Sequence, residues 1–399
     1  MVPNGWALLT VGDIFDVQLG KMLNKEAKKK QPQLRYLGNS NVRWGEFELT
    51  ELNSMYFSER EINKYKLEFN DILVCEGGEV GRCAIWEQHN SQILYQKALH
   101  RLRVKGEVVP KYFQNYMQSI AGTKLLEDYT SRTSIAHLTR EKLLSLPIKL
   151  PPLSEQQKIA KILSTWDKAI STTERLIENS IQQKKALMQQ LLTGKKRLLD
   201  ESGKRFDGEW EEVKLSEIAQ ITMGSSPKSD AYNEIGDGLP LLQGNADIKN
   251  RKSAPRIYTS QITKECHVDD ILFSVRAPVG TVALSNHNAC IGRGIAAIKA
   301  KKNHSQDYLY QWLLSFELKW ERYSQGSTFE AVNSDDIKSL NLSIPNYKEQ
   351  QKIATVLTNA DKEIELLEQQ LADLQQEKKA LMQVLLTGKK RVVVNGEVA

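Results

Sequence analysis

Apolar residues recur in steps of four and three along two stretches of this chain. In the later stretch the positions are Ile353, Leu357, Ala360, Ile364, Leu367, Leu371, Leu374, Lys378, Leu381 and Leu385. In the earlier one they are Ile159, Leu163, Trp166, Ile170, Thr173, Ile177, Ser180, Lys184, Leu187 and Leu191. Alternating steps of this kind make a heptad seam and predict two helices of coiled-coil type. The seams are not equivalent, because Thr173 and Ser180 stand where the later one has Leu367 and Leu374. A lysine, Lys184 or Lys378, interrupts each seam at the same place. It either sets the helix register or, as the plainer expectation, lays its stem along the seam with the ammonium in water.

The two stretches are copies. Pro151–Arg197 aligns with Pro345–Arg391 without a gap, with 26 identities in 47 positions. Both contain Glu-Gln-Gln-Lys-Ile-Ala near the start and Leu-Leu-Thr-Gly-Lys-Lys-Arg at the end, so the chain carries an internal duplication. Ser154 with Gln157, and Asn346 with Glu349, predict capping boxes at the helix starts. Gly194 and Gly388 predict left-handed ends, and the Lys-Lys-Arg after each places positive charge at the negative end of the helix dipole. Each helix is then about 40 residues and about 60 Å long.

A stretch of about 145–150 residues precedes each helix. These two heads diverge far more than the helices but share landmarks: Trp6 and Ile14 with Trp210 and Ile218, Leu37-Gly38-Asn39 with Gln243-Gly244-Asn245, and Asp71-Ile72-Leu73 with Asp270-Ile271-Leu272. Alternating and β-branched runs predict short strands at Ile72–Cys75, Arg82–Trp86, His100–Val104, Ile271–Val275 and Thr281–Leu284, and helices near Lys111–Ser119 and Asp307–Phe316. The fold class is α+β. The divisions are residues 1–150 for the first head, 151–197 for the central repeat helix, 198–344 for the second head, 345–391 for the C-terminal repeat helix and 392–399 for a tail. Head termini that lie close together make the helices pack as an antiparallel coiled coil with a pseudo-twofold repeat.

Composition narrows the class. The 399 residues, 40% hydrophobic and 26% charged, suit more than one folded domain. No apolar run nears the roughly 18 residues a membrane span needs, and the start lacks a secretory signal pattern. The four cysteines are sparse and fit a reducing, cytoplasmic setting. A net charge of +6 permits a polyanionic partner without requiring one.

The helix starts LPPLSEQQKIAKIL and IPNYKEQQKIATVL, the twice-used LLTGKKR ends, and the tract Met223–Asn233 running on to Leu239–Asn245 are each modest signals. Together and duplicated, over essentially the whole chain, they resemble a DNA-specificity subunit of a Type I restriction-modification system. The resemblance implies two target-recognition domains, each reading one half of a split, asymmetric site in double-stranded DNA, and paired helices acting as a spacer. It implies docking of two modification subunits that bind S-adenosylmethionine, and of restriction subunits that use ATP and Mg²⁺. No cofactor or catalytic residue is implied for this chain. The sequence agrees in lacking a P-loop, a three-glycine dinucleotide loop and an amino-methyltransferase tetrapeptide. Cys266, His267, His287 and Cys290 have no usual zinc spacing.

The candidate DNA contacts are residue types that suit phosphates or base edges. In the first head they are Lys21, Lys25, Lys28 (with Lys29 and Lys30 in one polar loop), Arg35, Asn39, Asn41, Arg43, Gln96, Lys97, Arg132, Thr133 and Ser134. In the second they are Ser225, Ser226, Lys228, Gln243, Asn245, Arg276, Arg293, Ser327 and Thr328. Turn residues and solvated charges account for such side chains equally. Two other readings stay open at this point: a non-catalytic protein scaffold whose helices bind partners, and an autonomous nuclease or methyltransferase.

Overall fold

The computed structural model describes residues 2–89, 92–130, 136–325, 332–394 and 397–398. The chain packs as two units, Met1–Glu174 with Gln370–Ala399, and Arg175–Gln369. The fold is α+β. Its two long helices, Leu153–Leu191 and Tyr347–Leu385, have 39 residues each. All twenty seam positions are buried or half-buried.

In the first unit a four-stranded sheet runs Phe15–Leu19, Leu99–Val104, Ile72–Cys75, Cys83–Ile85, antiparallel throughout. A second sheet joins Asn53–Tyr56, Gln33–Leu37 and Leu94–Tyr95, the last pair parallel. Ala7–Thr10 pairs with Pro147–Leu150 and so ties the start of the head to its end. The core gathers Phe15, Ile72, Val74, Leu102, Phe113 and Met117 of the head against Ile159, Leu163, Met382 and Leu385 of the helices.

The second unit repeats this plan. Its larger sheet starts Ala219–Met223, Ile295–Ala300, Ile271–Ser274, Val282–Leu284, and Glu211–Lys214 pairs with Asn341–Ile344. Its core packs Ile271, Phe273, Ile298, Tyr308 and Leu313 on Ile353, Leu357 and Leu191. The predicted strands occur within a residue or two. The helix predicted near Asp307–Phe316 spans Gln306–Gln325, against Pro110–Ile120 for its counterpart.

Within each unit the two helix segments run antiparallel. Glu155 meets Arg391 while Asp167 meets Lys378, and in the other unit Glu349 meets Arg197 while Asp361 meets Lys184. The helix ends carry two corrections. The first helix begins at Leu153, so Pro152 holds the cap position and the Ser154–Gln157 box does not form; the Pro152 carbonyl accepts from the N–H groups of Glu155 and Gln156. Asn346 does cap the second helix by accepting from the Glu349 N–H, but the Glu349 carboxylate is drawn away to Arg197. Gly194 and Gly388 take positive φ, 68° and 69°, as a left-handed helix end requires. The terminal arginines serve the facing helix as well as their own dipole. Glu155 is fully buried, accepts Arg391 at 2.8 and 2.9 Å, and takes a further bond from the Trp6 indole at 3.0 Å. Glu349 accepts Arg197 in the same two-pronged manner at 2.7 Å. The expectation that the seam lysines reach water is also corrected. Lys378 is buried and bonds Asp167 at 2.6 Å, and Lys184 pairs with Asp361.

Candidate nucleic-acid interface

Each head brings three loops together on one hydrogen-bonded frame. In the first head they are the turn after Gln33–Leu37, the loop after Ile72–Cys75, and the loop before Leu99–Val104. Gly20 N–H donates to Leu99 (3.0 Å), Gln96 N–H to Leu37 (2.9 Å), Leu99 N–H to Gln96 (3.2 Å), Glu76 N–H to Ala98 (2.8 Å) and Leu138 N–H to Glu76 (2.8 Å). The second head repeats all five: Gly224 to Ile295 (2.9 Å), Gly292 to Leu242 (2.8 Å), Ile295 to Gly292 (3.1 Å), Val275 to Gly294 (3.0 Å) and Val332 to Val275 (2.9 Å). The loops touch so closely that two glycines have no room for a side chain. A Cβ on Gly20 would enter the Gln96 carbonyl, and one on Gly294 the Gln243 carbonyl. Backbone fixed this way holds its loop side chains at set positions.

Those side chains differ between the heads. In the first, Asn39, Gln96 and Lys97 come together. Asn39 donates to the Gly77 carbonyl at 2.9 Å, and its Oδ1 is buried without a protein partner. Ala98, beside Lys97, sits at φ 84°, a conformation that costs about 1–3 kcal/mol and collects at functional sites. In the second head, Gln243, Asn245, Arg276, Arg293, Ser225 and Ser226 share the face. Both arginines are exposed. Ser226 Oγ accepts from the Arg293 N–H at 3.2 Å and from Nε at 3.4 Å, which leaves the far edge of the guanidinium forward. Lys97 and Arg293 occupy matching places in the frame.

Other candidates fall elsewhere. Lys21 is buried, with its ammonium on Glu61 at 2.7 Å and the Tyr56 carbonyl at 2.8 Å, so it holds the head together and does not reach a phosphate. Asn41 is buried and caps the Gly38 turn, its amide spent on the Glu48 and Glu51 carbonyls. Lys25, Lys28 and Lys29 lie in a short helix capped by Asn24, not in a loop, and are exposed together with Lys30. Arg35 is exposed on its strand, Arg43 is exposed in the turn that Phe47 closes, and Lys228 is exposed beside Gln261. Arg132, Thr133, Ser134, Ser327 and Thr328 lie outside the described residues. Sequence reasoning passed over His137, whose ring packs on Gly77 in the three-loop face. Its signal was weak, since a lone histidine in a polar stretch has no pattern.

The cysteines are buried. Burial pushes the Cys75 thiol up to about 11 and raises those of Cys83 and Cys266. His287 Nδ1 bonds Ser253 at 2.7 Å and His267 faces Asp270 at 3.7 Å. Among the described residues no group of three or more His, Cys, Asp or Glu side chains is placed to hold a metal, and no helix is long and apolar enough to cross a membrane.

Comparison with known proteins gives one answer. The chain is 33% identical over 409 aligned residues, covering 98% of itself and 95% of the relative, to a Methanocaldococcus jannaschii protein named as the MjaX specificity subunit of a type I restriction enzyme. The EcoBI specificity subunit of Escherichia coli is 24% identical and matches 75% of this chain and 68% of its own length. The solved HsdS subunit of Thermoanaerobacter tengcongensis superposes with a TM-score of 0.52 at 23% identity, over 97% of this chain and 98% of that one. The S subunit of a type I system from M. genitalium gives 0.62 at 17% identity, over 96% and 97%; both show the shared fold. The model of the Type I restriction modification DNA specificity domain matches twice, over residues 3–183 and 207–376. Matched twice, each time across a head and most of the helix that follows it, this chain belongs to the Type I restriction-modification DNA specificity family.

Proposed function

We propose that each head reads one half of a split, asymmetric site in double-stranded DNA through its three-loop face, and that the paired helices set the gap and dock two modification subunits. Restriction subunits complete the assembly. S-adenosylmethionine, ATP and Mg²⁺ are bound by those partners, and this chain contributes no chemical step. The observation that carries the reading is the repeated frame bearing unlike side chains. A constant backbone scaffold with different planar and cationic groups suits two readers of different bases. The first head offers Asn39, Gln96 and Lys97; the second offers Gln243, Asn245, Arg276 and Arg293. Exposed Lys25, Lys28 and Lys228 suit phosphates, which supply affinity and salt dependence but no sequence information.

The test is selection from random-sequence duplexes by this chain assembled with its modification subunits. The expected result is two fixed base clusters at one separation, with binding that weakens as salt rises. Absence of any sequence preference would return the chain to the scaffold reading.

A further inference from the structure

Besides the helix-end clamp of Glu155 or Glu349, each unit contains a polar node where two helix segments and the head meet. In the first, Lys378 Nζ lies 2.6 Å from Asp167 and 2.8 Å from Gln118 Oε1, while Lys111 reaches the same aspartate at 3.1 Å. In the second, Lys184 pairs with Asp361, and Gln311 donates to the other oxygen of Asp361 at 2.7 Å. Lys111 and Gln118 belong to helix Pro110–Ile120, and Gln311 to its counterpart Gln306–Gln325. The same helix of each head is therefore bonded into the same ion pair of the helical frame. Lys378 is 7% exposed, and the side chain of Lys184 13%.

Such a node acts differently from the apolar seam around it. Leucines and isoleucines at heptad positions accept a slip of one heptad with little change in packing. A slip moves one helix past the other by about 10 Å at 1.5 Å per residue, which strips a buried lysine of its carboxylate. A polar group at one seam position is the best-attested device for fixing register. Here the head helix is bonded to the same carboxylate or ammonium, so a slip would also cost the head its anchor.

We propose that these two nodes, Lys378–Asp167 with Gln118 and Lys111, and Lys184–Asp361 with Gln311, fix the helix register and the head pose together. Through both they hold the DNA gap to one length. The statement about the gap rests on the reading given under Proposed function; the statement about register does not. All seven are positioning residues, and none is among the side chains of the three-loop faces.

The experiment uses the full chain carrying K184M, D361L, K378M and D167L, assembled with its modification subunits. Each pair joins a largely buried lysine to a half-exposed aspartate; replacing even buried ion pairs by apolar groups of similar size is often neutral or stabilising, so a role in stability and a role in register separate. The expected result is an unchanged or raised melting temperature and unchanged bases in each half-site. The selected gap spreads from one length to two or more. In parallel, nitroxide labels at Ser171→Cys and Gln375→Cys, both exposed in the first unit, report the helices without DNA. One narrow distance in the parent should become a broad or multiple distribution. A single gap length and a single narrow distance in the variant would overturn the proposal. If the parent selects no split site, the DNA reading fails while the labels still decide the register. If the fourfold variant does not fold, K378M/D167L is read by the labels alone, and one narrow distance there also overturns the proposal.

Discussion

Lys21 and Lys25 lie four residues apart in one basic tract, yet the fold gives them opposite work. The Lys21 side chain is 10% exposed and bonded to Glu61, whose side chain keeps 32% of its surface. Removing the ammonium by Lys21→Met leaves a half-buried carboxylate, at a cost of about 2 kcal/mol. That is below the roughly 3–5 kcal/mol of a fully buried pair, because water still reaches Glu61. The measurement is urea unfolding of the full chain, and base selection should not move. Lys25→Ala should behave inversely, with stability unchanged and affinity lowered evenly across sequences. Its salt slope should fall by about one, read from binding at several salt concentrations. Arg293 makes a third case. Its Nε edge is held by Ser226, so the outer fork suits the O6 and N7 of guanine. Arg293→Ala should relax one base of the second half-site, a loss of about 1–3 kcal/mol in discrimination, and leave the first half-site as it was. A site selection that changes in both halves would remove Arg293 from this role. Composition and spacing marked all three side chains alike. The burial of Lys21 alone follows from the Ser58-capped helix Glu59–Tyr65 that carries Glu61, which no local pattern near Lys21 announces.

At the scale of elements, the heptad seams, the glycine ends and the strands around Ile72, Cys83, His100, Ile271 and Val282 were legible because each depends on residues close in sequence; the other strands were not. The partners of the conspicuous charges were not. Glu155 and Arg391 stand 236 residues apart, and Lys184 and Asp361 stand 177 apart, so only the folded pairing joins them. The repeat held the clue: an identical Glu, Asp, Lys and Arg at matching places in both copies is what two helices running antiparallel need in order to satisfy one another. The three-loop face was partly legible, through Asn39, Gln96, Lys97, Gln243 and Arg293. Asn41 looked the same in sequence but was consumed as a cap. The helix-end clamp gives the strongest stability prediction. Glu155 is fully buried, so Arg391→Met strands a charge and should cost about 3–5 kcal/mol in chemical unfolding. Acid sensitivity belongs to the same scale. Desolvation pushes the Asp167 carboxyl up, but the bonds and charges of Lys378 and Lys111 outweigh it and hold the pKa below the ordinary 3.8. A depressed folded value adds stability above the unfolded pKa and loses it as pH falls through the folded one. The parent should therefore lose stability below about pH 3.8, and Asp167→Asn should flatten that part of the unfolding-versus-pH curve.

At the scale of the whole molecule, the duplication makes a prediction about half of the chain. The first head with its helix, residues 1–197, contains Glu155, Asp167, Lys184 and Arg197. In the first unit the partners of that head come from the second helix: Lys378, Met382, Leu385, Leu386, Gly388 and Arg391. The first helix carries Lys184, Met188, Leu191, Leu192, Gly194 and Arg197 at the matching places, the same residue types throughout. Two copies of the half-chain can thus satisfy each other: Glu155 of each takes Arg197 of its mate, and Asp167 of each takes Lys184. The surface is self-complementary, which is the requirement for a closed twofold dimer. Sedimentation of residues 1–197 should give a dimer at micromolar concentration. Arg197→Glu should dissociate it by setting a carboxylate against buried Glu155, and Glu155→Arg with Arg197→Glu should restore it. Assembled with the modification subunits, that dimer should select the first half-site twice, in inverted orientation. A monomeric half-chain would mean that the two helices, similar as they are, have diverged too far to replace one another, with Thr173 and Ser180 as the first residues to change toward leucine.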